Sequence, residues 1–170
     1  MGCSEQGEST DVDSLVTSLV IIKGINMNAR KRKNFAEKHE LDATPDRQIK
    51  EEILNRTQNN ELSCEVAFEI AKKLQVSEKA VGMTADLLDF KLAKCQLGLF
   101  GYGLQKKDVQ PKDTTNRDLK EAITEALVDG RLPCKRAWDI ASLFNVHKLN
   151  ITRICEFMKI KIRDCQLGAF

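Results

Sequence analysis

The chain has little with which to do chemistry. Only two histidines occur among its 170 residues, His39 and His147. No glycine-rich loop leads into a helical stretch to cradle a phosphate, and no nucleophile motif is present. The chain therefore reads as a non-enzyme with no cofactor. Long apolar runs are also missing. The longest, Leu19–Ile22 with Leu15 and Val16 before it, falls far short of the ~20 residues that span a bilayer. It follows Asp11 and Asp13, whereas a secretory signal needs a positive start. Met1-Gly2-Cys3-Ser4 is close to a myristoylation start, but Gln6 stands where Ser or Thr is required. These absences exclude a membrane partner and lead us to expect a cytoplasmic protein. Charge of one sign is lacking too: 27 Lys and Arg stand against 25 Asp and Glu, so net charge selects no partner. Six cysteines without a secretion signal point to thiols or metal ligands rather than a disulfide framework.

What is present is a repetition. Sliding the chain by 70 residues aligns Gln48–Phe100 with Asp118–Phe170 without a gap, and fifteen of the 53 positions are identical. Cys64 meets Cys134, Ala71 meets Ala141, Val76 meets Val146, and Cys95-Gln96-Leu97-Gly98-Leu99-Phe100 meets Cys165-Gln166-Leu167-Gly168-Ala169-Phe170. Identity gathers at apolar positions and at this last motif, as a duplicated fold would leave it. Units of this size are near the lower limit for folding alone, so the repeats are expected to pack on each other or on a second chain. The division is an N-terminal extension, 1–44, expected to be flexible; repeat 1, 45–103; a polar linker, 104–114; and repeat 2, 115–170.

In each repeat, helical spacing predicts three helices. The first carries Ile49, Ile53 and Leu54, or Leu119, Ile123 and Leu127. Ser63 is placed to cap the second helix and Ser77 the third, with Pro133 at the corresponding entrance in repeat 2. Phe90-Lys91-Leu92 and Ile160-Lys161-Ile162 alternate like short strands. The fold class is mainly α: two tandem three-helix units, each followed by a short strand or turn. Gly98 permits a tight turn that folds Phe100 back onto the helices. At the N-terminal end, Lys23-Gly24 requires a purine-rich codon pair just before Met27, where a bacterial ribosome-binding site would lie, so translation starting at Met27 is one expectation.

The second and third helices carry a pattern: Ile70-Ala71, Leu74, Val76, Val81, Leu87, and again Ile140-Ala141, Phe144, Val146, Ile151, Ile154. It resembles the helix-turn-helix family, in which two helices cross steeply over a short turn and a small residue keeps them close. Gln75 and Asn145 stand where that family usually has glycine. The strand after the third helix is similar to the start of a wing, which implies a winged-helix relative.

The resemblance implies double-stranded DNA as partner and a role as transcriptional regulator or accessory factor. The third helix would then enter the major groove by its N-terminal residues. In repeat 2 these are His147, Lys148, Asn150, Thr152 and Arg153. In repeat 1 they are Ser77 and Lys79, beside Glu78, Gly82 and Met83. Asn pairs with adenine and Arg with guanine in bidentate fashion. Repeat 2 is the more basic half, with ten basic against seven acidic side chains over 115–170, and is expected to carry more of the contact. Arg30-Lys31-Arg32-Lys33 would serve as an arm to a phosphate backbone. Two such units could address adjacent major grooves, as a dimer does. The alternatives are a protein-interaction module, with a protein partner or a second copy, and a thiol- or metal-responsive sensor. For the last, Cys64, Cys95, Cys134 and Cys165 hold equivalent places and supply two ligands per repeat; the plainer reading is buried thiols acting as small hydrophobes.

Overall fold

The computed structural model describes residues 35–103 and 109–170. Arg30–Lys33, Met27 and the start of the linker lie outside these. The described residues are mainly helical, with six α-helices and four strands of three residues. Repeat 1 runs α1 (Arg47–Arg56), β1 (Glu61–Ser63), α2 (Cys64–Leu74), α3 (Glu78–Leu87) and β2 (Lys91–Ala93). Repeat 2 runs α4 (Arg117–Glu125), β3 (Arg131–Pro133), α5 (Cys134–Leu143), α6 (Lys148–Phe157) and β4 (Lys161–Arg163).

Local chemistry sets these boundaries. The Asp46 carboxylate accepts from the Ile49 N–H at 3.0 Å and starts α1, which turns Ile49 and Ile53 inward. Asn116 does the same for α4 through the Leu119 N–H. Asn59 and Asn60, both left-handed, swing the chain from α1 into β1. Ser63 accepts from the Val66 N–H and Ser77 from the Ala80 N–H, which satisfies one orphan donor at the start of α2 and of α3.

The strand expected to open a wing does something else. β2 returns to pair in parallel with β1, Leu92 beside Leu62, and β4 pairs likewise with β3, Ile162 beside Leu132. Among the described residues no hairpin follows either strand. β1 and β3 went unseen in the sequence because each shows one apolar residue between polar neighbours, too short a stretch for a period of two.

The Cys-Gln-Leu-Gly-x-Phe tails then change sides. Lys94 and Asp164, both left-handed, turn the chain out of β2 and β4. Each tail closes on itself, Cys95 N–H to Phe100 carbonyl and Cys165 N–H to Phe170 carbonyl, both at 3.2 Å. Leu97 is fully buried in the core of repeat 2 with Leu119, Ile123, Leu132 and Ile151. Leu167 is buried in the core of repeat 1 with Ile49, Ile53, Leu62 and Val81. Burying such a leucine contributes about 1.5–3 kcal/mol, so each repeat completes its core with the other's tail. Both repeats belong to one compact unit. Phe68 stacks on Trp138 with centroids 4.1 Å apart, and Phe100 meets Phe170 edge to face at 5.9 Å. Both pairs join aligned positions, which marks an approximate two-fold relation between the repeats.

The extension expected to be flexible has an ordered inner part. A 3-10 turn, Phe35–Lys38, packs on α3. Asp86, almost wholly buried, pairs with the Lys38 ammonium at 2.8 Å and with His39 Nε2 at 3.0 Å. Stripping those partners would leave a buried carboxylate unpaired, a costly state.

Candidate nucleic-acid interface

The turn between the second and third helices has the same backbone in both repeats. Gln75 (φ 55°) and Asn145 (φ 50°) are both left-handed. The chain then bends back so that the Val76 N–H donates to the Ala71 carbonyl at 3.0 Å, and the Val146 N–H to the Ala141 carbonyl at 2.9 Å. Ala71 and Ala141 are buried beneath this crossing, where a larger side chain would push the helices apart. Asn adopts the left-handed region readily and Gln less so; here the crossing imposes it on both.

The third helices start at these turns. Ser77 and Lys79 are exposed at the head of α3, although the Ser77 hydroxyl is occupied as a cap. His147 caps α6: its Nδ1 accepts from the Leu149 N–H at 3.2 Å, which places a neutral ring's proton on Nε2. Asn150 is exposed, and Arg153 is half-buried with its carbonyl accepting from the Lys112 N–H at 3.1 Å. Ser77, Lys79, His147 and Asn150 are open to solvent, and Arg153 only in part.

Two expected readers are not. Thr152 is 0% exposed, so it is removed from the set of base-contacting residues. Its aligned partner Gly82 is buried as well, under the Leu167 carbonyl. The physical reason is the tail exchange: this face of the third helix packs against the other repeat's tail. Lys148 is half-buried and engaged. Its ammonium donates to Gln96 Oε1 at 2.6 Å and lies 3.9 Å over the Trp138 ring, so it holds the tail of repeat 1 in place and cannot reach freely for a phosphate.

Beside the head of α6 lies a polar groove of about 670 Å³ between the repeats. Lys94, Gln96 and Tyr102 line one wall; Asn145, His147 and Lys148 line the other. Lys94 is exposed and takes part in no ion pair among the described residues. At the aligned positions the other repeat carries Asp164 for Lys94, Glu78 for Lys148 and Ser77 for His147. Glu65 also lines the groove, and its aligned residue is Lys135, so the duplication has left one side more cationic than the other. Sequence reading missed Lys94, and its only signal was this inversion of charge against Asp164.

The repeated cysteines are a core feature. Cys64, Cys95 and Cys134 are buried and Cys165 half-buried, all as free thiols. Burial pushes the Cys64 thiol up to about 12, with its three repeated counterparts adding to the rise. Burial likewise raises Cys95 and Cys134, and Gln166 Nε2 donates to Cys134 Sγ at 3.6 Å. Thiols held protonated are poor nucleophiles and poor ligands. Among the described residues no group of three or more Cys, His, Asp or Glu is placed to hold a metal ion, and no helix is long and apolar enough to cross a membrane.

No family model, curated protein or solved structure matches the chain. The residues alone carry the functional argument.

Proposed function

We propose that this chain is a DNA-binding protein of tandem helix-turn-helix type, a cytoplasmic regulator or accessory factor without catalytic activity or cofactor. The observation that carries this reading is the groove at the head of α6, where Lys94 and His147 converge beside a left-handed turn. A phosphate backbone running past it would meet Lys94, His147 Nε2 and the first free N–H groups of α6, whose dipole favours an anion. Asn150, exposed on the same helix, and the half-buried Arg153 would address base edges. Repeat 1 would add Lys79 and Ser77 on a surface already carrying Glu78, and contribute less. With Gly82 and Thr152 covered, contact falls to the helix ends rather than to the length of the helix. Arg30–Lys33 would supply the basic arm.

Selection of bound fragments from a random duplex pool tests this. The expected result is an enriched motif, lost in Asn150→Ala with Arg153→Ala while residual non-specific binding remains. No enrichment and no retention of DNA would reject it.

A second reading is favoured by one specific observation. The covered face of both third helices serves protein packing already, so the module could be an interaction domain that never meets DNA. Retention of a protein by a chain that fails to bind any duplex would support that reading.

A further inference from the structure

The two repeats differ in chemistry where α1 packs on α2 and where α4 packs on α5. In repeat 1 this surface is closed by charge. Glu52 pairs with Arg56 at 3.0 Å and with Lys73 at 2.6 Å, and Arg56 reaches Glu69 at 3.3 Å. In repeat 2 the aligned residues are Ala122, Ala126, Leu143 and Asp139. The ion-pair network is gone and an open groove of about 610 Å³ stands in its place. Leu127 and Val128, where repeat 1 has Thr57 and Gln58, extend the apolar wall. Leu143 is 77% exposed and Val128 49%, so two large apolar side chains at the groove stand open to solvent.

The face has a knob and a hollow side by side. Leu143 projects from α5, and the small Ala122 on α4 and Ala126 at its C-terminal cap leave room beside it. Its charges are also matched and unspent. Glu125 on α4 and Arg136 on α5 both line the groove, and neither takes part in an ion pair among the described residues. A surface that carries both halves of a contact is self-complementary, which is what a two-fold interface requires.

We propose that two copies of the chain associate here about a two-fold axis. Leu143 of each copy enters the hollow over Ala122 and Ala126 of the other, and Arg136 of each meets Glu125 of the other. The repeat 1 surface, sealed by Glu52, Arg56 and Lys73, takes no part. The inference stands apart from DNA binding, since none of these residues lies in the groove at the head of α6.

Sedimentation velocity of the full chain over roughly 1–500 µM, a range that spans weak to moderate association, provides the test. Wild type is expected to shift from monomer to dimer. Leu143→Lys installs the residue that repeat 1 carries at this position, so the fold should persist, as read by circular dichroism. It should weaken dimerisation about tenfold or more. Val128→Gln, again the repeat 1 residue, gives a second measure if Leu143→Lys unfolds. Arg136→Glu should weaken the dimer and Glu125→Arg added to it should restore the dimer. A wild type that stays monomeric throughout, a Leu143→Lys chain that dimerises unchanged, or a failure of the charge swap to restore association would overturn the proposal.

Discussion

Helix α3 passes so close to the carbonyl of Leu167 that only a glycine, Gly82, fits at the crossing; a side-chain carbon there would overlap that oxygen. Gly82 belongs to repeat 1 and Leu167 to the tail of repeat 2. The contact is backbone on one side and helix on the other, so neither can yield by a change of rotamer. Gly82→Ala is therefore expected to destabilise the protein, although alanine ordinarily favours a helix. Overpacking of this kind costs about 1–3 kcal/mol. Urea unfolding followed by circular dichroism measures it. A variant as stable as wild type would show that the tail does not sit where it is described.

The exchanged tails make a prediction about cooperativity. Leu97→Ala should cost about 2–5 kcal/mol, and so should Leu167→Ala, because each empties a site in the other repeat's core. The loss should be seen by probes in both halves at once. Trp138 fluorescence, reporting from the seam where Trp138 stacks on Phe68, should follow the same urea transition as circular dichroism in Leu167→Ala, whose cavity lies in repeat 1. Two separated transitions in wild type would mean that the repeats close their cores independently.

The order of the helices, the caps at Ser63 and Ser77 and the duplication were legible in the sequence, whereas Asn116 and His147 were not seen as caps. Ser63 and Ser77 announced two helix starts, and the spacing of Ile70, Ala71 and Val81 announced the buried face of α2 and α3. The tail exchange was not legible. A leucine in a Gly-bounded turn satisfies the same pattern whether it folds onto its own helices or its neighbour's, and that choice is made by packing across the whole unit. Thr152 was misplaced for the same reason. Lys148, Thr152 and Glu156 fall on one polar face at helical spacing, and such a face reads as solvent until another segment covers it. Gly82, aligned with Thr152, was the one hint of close approach. Lys94 could be valued only once the fold had set it opposite His147.

The buried thiols fix a pH dependence. Burial pushes Cys64 and Cys155 up to about 12. Below the ordinary thiol value both folded and unfolded chains keep these protons, and the stabilisation is complete. Between that value and about 12 the unfolded chain releases protons that the fold retains, so stability falls as pH rises. The slope is about 1.4 kcal/mol per pH unit for each such thiol. Urea midpoints at about pH 8 and about pH 10 should show the decline, and Cys64→Ala should make it shallower. The thiols should also resist alkylation until urea unfolds the chain. Rapid alkylation of Cys64 in the native protein would contradict its burial.

Binding to DNA is the central claim, and a salt titration of affinity reaches it most directly. Fluorescence anisotropy of a labelled mixed-sequence duplex should show binding whose log affinity falls linearly with log salt, by about 0.9 for each phosphate neutralised. Lys94→Glu should weaken it about tenfold and make that slope shallower by about one, while Lys50→Glu, on exposed α1 away from the groove, should change neither. A wild-type chain that leaves the anisotropy of the duplex unmoved at low salt would contradict the account.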